Sequence, residues 1–237
     1  MNIVEKNLSG TAENEFSNGV SNDDAKKALE LLIKWIGENP EREGLKETPK
    51  RVLRAYKEWF AGYSQNPVEI LSKTFEEVEG YKEMISLKDV SFHSFCEHHF
   101  APIVGKVHIG YIPNKKVVGL SKLARLVEVF ARRLQVQEKM TAEIGNCLQT
   151  HLDCLGVGVI IEGEHHCMSS RGVKKHGSIM KTMHFFVRTN AEGSECSTDL
   201  DVTKEQWDAM SEQEQKDLIN EYRSDVMDSW VQELEQE

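Results

Sequence analysis

The sequence lacks both a long apolar run and an excess of positive charge. No segment approaches the roughly 20 apolar residues of a membrane-spanning helix, and residues 1–24 contain no apolar core of a secretory signal. The formal net charge is -10, with 29 Lys and Arg against 39 Asp and Glu. Proteins that bind nucleic acid or anionic membranes are normally basic. We therefore expect no nucleic acid and no membrane partner, and an anionic ligand would need a local basic cluster.

Cysteines are few, and their number is odd. They are Cys96, Cys147, Cys154, Cys167 and Cys196. An odd number at irregular spacing, in a chain without a signal segment, is typical of reduced thiols or metal ligands rather than of a disulfide framework. We therefore expect a cytoplasmic protein.

The hydrophobic pattern predicts three parts. Residues 1–22 are polar and should form a flexible tail. Residues 23–190 are expected to form one α+β domain with N-terminal helices, an antiparallel sheet and a central pair of helices. Residues 191–237 are acidic and rich in Gln, and they predict a helical extension rather than a second domain. The strands are predicted at residues 85–93, 103–112, 157–162 and 179–189.

Two short clusters contain the residue types that bind zinc. Cys96 and His99 stand three residues apart, and His165, His166 and Cys167 follow a predicted strand. Two ligands from one cluster and one from the other would leave a fourth position for water, as in catalytic zinc sites. One alternative is buried thiols beside surface histidines. Another is a structural zinc finger, which would need a second C-x2-C or H-x3-H pair that the sequence lacks.

A local basic cluster opens the first central helix. Ser121 is expected to cap this helix, and Lys122 and Arg125 stand three residues apart on one face. Free backbone N–H groups at the same end also favour an anion, so the cluster predicts a phosphate site. Arg171 and Lys174 follow the second metal cluster and can add positive charge. An ordinary capped helix with solvated basic side chains is an equal alternative.

Long ordered segments run through about residues 25–175. They are Glu41–Leu45, Thr48–Arg51, Phe95–Phe100, Gly105–Ile109, Tyr111–Asn114, Gly119–Arg125, Phe130–Glu138 and Val159–Gly172. In this order the segments resemble the GTP cyclohydrolase I family almost without interruption. Their length and order make a chance similarity untenable.

The resemblance implies the tunnelling fold. In this fold a four-stranded antiparallel sheet with a central antiparallel helix pair joins the sheets of other subunits into a barrel. Two rings stack into a homodecamer, with the active sites between subunits. The implied enzyme is a zinc-dependent hydrolase that converts GTP and water into 7,8-dihydroneopterin triphosphate and formate. Folate, biopterin and deazaguanine synthesis can all begin with this reaction.

The resemblance also implies roles for both metal clusters. Cys96, His99 and Cys167 match the family's zinc ligands, while His98 and His165 match its acid–base histidines. Zinc lowers the pKa of its bound water to near neutral pH. The implied nucleophile is therefore hydroxide, which adds to C8 of guanine while the two histidines shuttle protons.

The remaining matched residues would hold GTP. Arg54 matches a basic position, often Lys in the family, that reaches the phosphates from a neighbouring subunit. Gln137 falls at a substrate-binding position, and Glu138 matches the carboxylate that holds guanine. A carboxylate offers two acceptors to the ring N–H and the exocyclic amine, a donor pair that adenine lacks. The triphosphate-binding positions are matched by Ser121, Lys122, Arg125 and Arg171.

After Gly172 the sequence departs from the family pattern. The family usually has a strand rich in Ser and Thr here. Ser178 and Thr182 keep two of these hydroxyl positions, but Met replaces others, and a glycine before the last Phe is missing. We expect altered packing between subunits rather than altered chemistry. Two other interpretations remain: a non-enzymatic tunnelling-fold relative that binds zinc or a purine nucleotide, and a zinc enzyme acting on a different purine nucleotide.

Overall fold

The computed structural model describes residues 19–75, 83–188 and 195–201, together with residues 211 and 214. It divides the chain into two compact units, Met1–Gln65 and Asn66–Glu237. The predicted N-terminal tail lies outside the described residues up to residue 18. Most of the predicted C-terminal helical extension lies outside them too.

The first unit contains the two predicted N-terminal helices, α1 (Asn22–Trp35) and α2 (Thr48–Trp59). The Ser21 side chain accepts a hydrogen bond from the backbone N–H of Asp24 and so caps α1. Pro49 lies in the first turn of α2, where its missing N–H costs nothing. The two helices contact each other, and a short 3-10 helix, Ala61–Ser64, follows α2.

The second unit is built on β-strands. They are β1 (Thr74–Phe75), β2 (Ile85–Cys96), β3 (Pro102–Ile112), β4 (Val117–Val118), β5 (Leu134–Gln135), β6 (Gly156–His165), β7 (Ile179–Arg188) and β8 (Glu195–Asp201). Six of them form one sheet in the order β5-β2-β3-β6-β7-β8, and β1 pairs with β4 in a separate ribbon. Within the large sheet β5 runs parallel to β2, and the other neighbouring strands are antiparallel.

The four predicted strands correspond to β2, β3, β6 and β7, and the α+β class is confirmed. The sheet has two strands more than expected, because β5 and β8 extend its two edges. The extension 191–237 was predicted to be helical, and this is wrong for residues 195–201, which pair with β7. Cys196, Thr198 and Leu200 alternate with polar residues in the sequence, which is the period of a strand.

Four helices accompany the sheet in the second unit: α3 (Pro67–Leu71), α4 (Leu120–Ala131), α5 (Gln137–Leu152) and α6 (His166–Ser169). The central pair is present as α4, which packs against β2, and α5, which packs against β6 and β7. Their apolar stripes meet alternate residues of β3 and β6 in one core. It includes Val107, Ile109, Tyr111, Leu123, Leu126, Ile144, Leu148, Val159 and Ile161.

The segment that departs from the family pattern forms β7. Its His184 is buried, with 3% of its surface exposed, and the ring lies against α5 at Gly145. A Cβ placed on Gly145 would lie 2.1 Å from the His184 ring carbon Cδ2. A glycine in α5 therefore makes room for a bulky residue in β7. Among the described residues, no helix is long and apolar enough to cross a membrane.

Candidate active site

Three residues with metal-binding side chains meet at one end of the large sheet. Cys96 ends β2, His99 lies in the turn that follows, and Cys167 lies in α6 directly after β6. The strand between them, β3, pairs with the end of β2 at Pro102 and with the end of β6 at Ile103. The ends of β2 and β6 are therefore neighbours. Each residue offers one ligand atom: Sγ of Cys96, one imidazole nitrogen of His99 and Sγ of Cys167. These three atoms all lie within 4.8 Å of one another.

The turn after β2 explains the spacing of the first two residues. The backbone N–H of Phe100 donates to the carbonyl of Cys96 at 2.9 Å, and the N–H of Cys96 donates to the carbonyl of Ala101 at 2.8 Å. Phe100 adopts a left-handed φ of 52° to close the turn. As a result, Nδ1 of His99 lies 3.8 Å from Sγ of Cys96.

The surroundings of the Cys–His–Cys group disfavour a free Cys167 thiolate. Burial raises the pKa of the Cys167 thiol, and the adjacent Cys96 raises it further. A divalent metal ion reverses this effect, because it binds the thiolate form directly. Nη1 of Arg171 lies 2.7 Å from Nε2 of His99. The other ring nitrogen, Nδ1, faces Cys96. Two thiols and one imidazole at this separation could hold a metal ion.

The two predicted acid–base histidines are close in the chain to the Cys–His–Cys residues: His98 lies between Cys96 and His99, and His165 lies two residues before Cys167. His98 is exposed, and its Nδ1 lies 3.7 Å from Sγ of Cys96. His165 is the last residue of β6 and is half-buried. Burial lowers the pKa of His165, and the charge of Glu138 opposes this effect. His165 and Glu138 are therefore close enough for their charges to interact.

The two residues expected to contact the base begin α5 and point in different directions. Glu138 is exposed, so its carboxylate is open to a ligand. Gln137 is fully buried, and its Oε1 lies 2.9 Å from Nε2 of His165. Thr141 and Thr182 lie in the same buried network as Gln137, and neither was predicted as a site residue. The i, i+4 spacing of Gln137 and Thr141 was the available signal.

The residues of the second unit that were predicted to bind phosphate lie in the first two turns of α4 and after α6. Ser121 and Arg125 are exposed, as is Arg171, and Lys122 is half-buried. The expectation that Ser121 caps α4 is wrong: Gly119 occupies the N-cap position, with no side-chain cap. Because the helix begins two residues earlier than a Ser121 cap requires, Ser121 lies within the first turn. α4 packs on β2, the strand that ends at Cys96.

Arg54 lies in the first unit, on α2. It lines a cavity of about 230 Å³ between α1 and α2. Lys50, Arg54 and Lys57 follow i, i+4, i+7 spacing and so share one face of α2. The cavity therefore has a strongly basic wall in a chain with a net charge of -10. Its other lining residues are Asn22, Lys26 and Leu53.

The α+β fold and the Cys–His–Cys group with histidines beside it have the make-up of a metal-dependent hydrolase. The family model for GTP cyclohydrolase I matches residues 25–201. The chain therefore belongs to the GTP cyclohydrolase I family.

Curated relatives agree with this assignment. GTP cyclohydrolase 1 of Brucella anthropi is 55% identical over 171 residues, which cover 71% of this chain and 80% of the relative. GTP cyclohydrolase 1 of Bartonella quintana is 51% identical over 182 residues, 76% and 88% of the two chains. That of Pelagibacter ubique is 52% identical over 166 residues, 70% and 82%. The chain is an enzyme with GTP cyclohydrolase I activity: it converts GTP and water into 7,8-dihydroneopterin triphosphate and formate.

Two other comparisons concern parts of the chain. A second family model, a domain of unknown function (DUF7167), matches residues 180–236. The crystal structure of the archaeosine synthase QueF-Like in the apo form aligns with a TM-score of 0.34 and 13% identity, over 42% of this chain and 89% of that chain. A likeness this slight carries no argument about this protein.

Proposed function

We propose that the metal is Zn²⁺ and that Cys96, His99 and Cys167 hold it for catalysis. The observation that carries this proposal is the approach of their three ligand atoms to within 4.8 Å of one another. Two thiolates and an imidazole suit zinc, and three protein ligands leave the fourth position of a catalytic site open to water. When bound, zinc supplies a water molecule that ionises near neutral pH.

His98 and His165 are proposed to move the protons of the reaction. Hydrolytic opening of the guanine imidazole ring needs a proton at N7, and the release of C8 as formate needs further transfers. Histidine suits both directions of transfer near neutral pH. The position of His98, 3.7 Å from Sγ of the proposed ligand Cys96, supports this role. So does the position of His165, two residues before the proposed ligand Cys167.

Glu138 is proposed to select guanine. Its exposed carboxylate at the start of α5 can accept hydrogen bonds from the ring N–H and the exocyclic amine together. The influence of Glu138 on the pKa of His165 supports a position beside the reacting ring. The neighbouring Gln137 matches a substrate-binding position of the family, but its side chain is fully buried, so only Glu138 is proposed to contact the base.

The triphosphate is proposed to act as an anchor and to remain intact. Arg171 lies beside the Cys–His–Cys group, 2.7 Å from His99, and can hold phosphate oxygens close to it. Ser121, Lys122 and Arg125 supply a hydroxyl and two cations from α4, and Arg54 reaches the phosphates from a neighbouring subunit. Binding energy from the phosphates would orient the base for reaction.

We further propose a cytoplasmic homodecamer of two stacked pentamers with the tunnelling fold. In the part of the chain that the structure describes, β5 pairs with only two of the 12 residues of β2. Most of that edge is open to a strand from another subunit. Leu31, Leu32 and Trp35 of α1 are also exposed, and a cluster of large apolar side chains favours burial against a partner.

The direct test is to incubate zinc-loaded protein with GTP, oxidise the product, and measure neopterin fluorescence and formate. We expect both products from GTP, neither from ATP, and loss of both after chelation. GDP, run in parallel, reports the contribution of the γ-phosphate. Equal turnover of ATP would contradict the role of Glu138. Full activity after complete removal of zinc would contradict the proposed metal.

A further inference from the structure

We infer that Gln137 is a positioning residue that fixes the tautomer of His165, with the proton on Nε2 and the lone pair on Nδ1. It does so through a buried hydrogen-bond network, without touching GTP. The catalytic consequence rests on the proposed acid–base role of His165. The tautomer itself follows from the geometry around Gln137.

The orientation of the Gln137 amide is set by two backbone carbonyls. Its Nε2 lies 3.1 Å from the oxygen of Ile161 and 3.0 Å from the oxygen of Met180. Carbonyl oxygens only accept, so an N–H group must face them. The opposite orientation would place the amide oxygen against both carbonyls in a site with no exposure to water. The amide oxygen of Gln137 therefore faces His165.

This orientation determines which nitrogen of His165 carries the proton. The Gln137 Oε1 acceptor lies 2.9 Å from His165 Nε2, so Nε2 must donate. A neutral imidazole has only one N–H, and its other nitrogen is then an acceptor. The lone pair of His165 is therefore on Nδ1, the only ring atom that can take up a proton.

Two buried threonines complete the network with consistent directions. Thr141 Oγ1 lies 2.8 Å from the carbonyl of Gln137 and must donate to it. In the 2.6 Å contact between the two hydroxyls, Thr182 is therefore the donor and Thr141 the acceptor. Thr182 Oγ1 lies 3.2 Å from the Gln137 amide nitrogen, whose two N–H groups are shared among Thr182 and the two backbone carbonyls. Both threonines are at most 2% exposed, so water does not compete for these bonds.

Gly163 of β6 leaves the space that the amide oxygen occupies. A Cβ on this residue would lie 2.6 Å from Gln137 Oε1 and 3.1 Å from Cγ2 of Ile103. A side chain at this position would push the acceptor away from His165. Gly163→Ala therefore offers a way to disturb the same bond without changing Gln137.

The test uses the zinc-loaded, full-length enzyme and its Gln137→Met variant, which has similar volume and no acceptor oxygen. Solid-state NMR of protein labelled with 15N-histidine reports the tautomer, and the His165→Asn variant identifies the His165 signal. We expect the wild-type ring to be protonated at Nε2 and the variant to lose this preference. Loss of an outer hydrogen-bond partner should lower kcat on the order of 10-fold to 100-fold. KM and zinc content should change little, because GTP and metal contacts remain.

Thr141→Val is the matched control, because it removes hydrogen bonds of the network without removing a partner of His165. Both carbonyls still orient the Gln137 amide, so this variant should keep the Nε2-protonated ring, whereas Gly163→Ala should lose it. An unchanged tautomer in Gln137→Met would overturn the inference. A raised KM at constant kcat would instead assign Gln137 to substrate binding. If His165→Asn kept full turnover, the proposed role of His165 would fail, while the NMR result would still decide the tautomer.

Discussion

The two sides of the candidate site differ in their exposure to water. The metal side consists of Cys96, His98, His99, Cys167 and Arg171, and most of these side chains are exposed or half-buried. The buried network consists of Gln137, Thr141 and Thr182, with His165 at its edge. The metal side has charged and metal-binding groups that are proposed to react, whereas the network contains neutral groups that orient the His165 ring. The reacting groups and the orienting groups therefore occupy different parts of the site. Substitutions in the two parts should have different effects on metal binding and turnover.

The largest effect should come from removing a thiol on the metal side. Cys96→Ala or Cys167→Ala should reduce turnover to background and remove the metal, because two remaining ligands hold zinc poorly. Cys147→Ala is the matched control. This thiol is buried, with its pKa raised to about 11, and it lies outside the Cys–His–Cys group. It should keep metal and activity. Full metal content in both ligand variants would contradict the assignment.

His98→Ala should keep the metal and lose turnover. General acid–base catalysis typically contributes about 10²-fold to 10⁴-fold, so kcat should fall within that range at unchanged zinc content. Steady-state kinetics and metal analysis on one preparation test this. Loss of zinc together with activity would show that His98 is needed for metal binding, and it would contradict a role limited to proton transfer.

Glu138→Gln should weaken the recognition of guanine. A hydrogen bond to a charged group contributes about 1.5–3 kcal/mol, so kcat/KM for GTP should fall about 10-fold to 100-fold. Zinc content should not change. Comparison of GTP with ATP in the same variant shows whether discrimination between the bases narrows. An unaltered kcat/KM would show that Glu138 does not recognise guanine.

The smallest effect concerns packing behind the buried network. Gly145→Ala places a methyl group against the His184 ring and should lower the free energy of unfolding by about 1–3 kcal/mol. A second substitution, His184→Ser, should recover part of this loss. Gly119→Ala is the control, because a Cβ there meets no atom within 4 Å. Thermal denaturation measures all three, and equal losses at both glycines would contradict the steric account.

The metal side could be predicted from the sequence because its residues are close in the chain. The turn between Cys96 and His99 is local, and only Cys167 has to be brought from another strand. The buried network was missed for the opposite reason. The Gln137 amide meets the carbonyls of Ile161 and Met180, and this depends on the register between two strands and on how α5 lies across them. A short sequence motif does not predict the register between two strands.

The fold shows the same division. The four long strands and the central helix pair have clear hydrophobic periods, and the sequence predicted them. The short β5 was not predicted, because two residues have no measurable period. The error at Ser121 arose because a Ser at a helix start usually caps, but Gly119 already has the extended backbone of an N-cap. Strand β8 was missed because its short alternation lies in an acidic, Gln-rich segment whose overall composition suggested a helix.

X-ray absorption at the zinc edge would show directly whether Cys96, His99 and Cys167 form a catalytic zinc site. We expect two sulfur neighbours at about 2.3 Å and nitrogen or oxygen neighbours at about 2.0–2.1 Å, in a four-coordinate shell. Cys167→Ala should lower the sulfur count in any zinc that remains. A shell without sulfur in the active, zinc-loaded enzyme would exclude Cys96 and Cys167 as ligands.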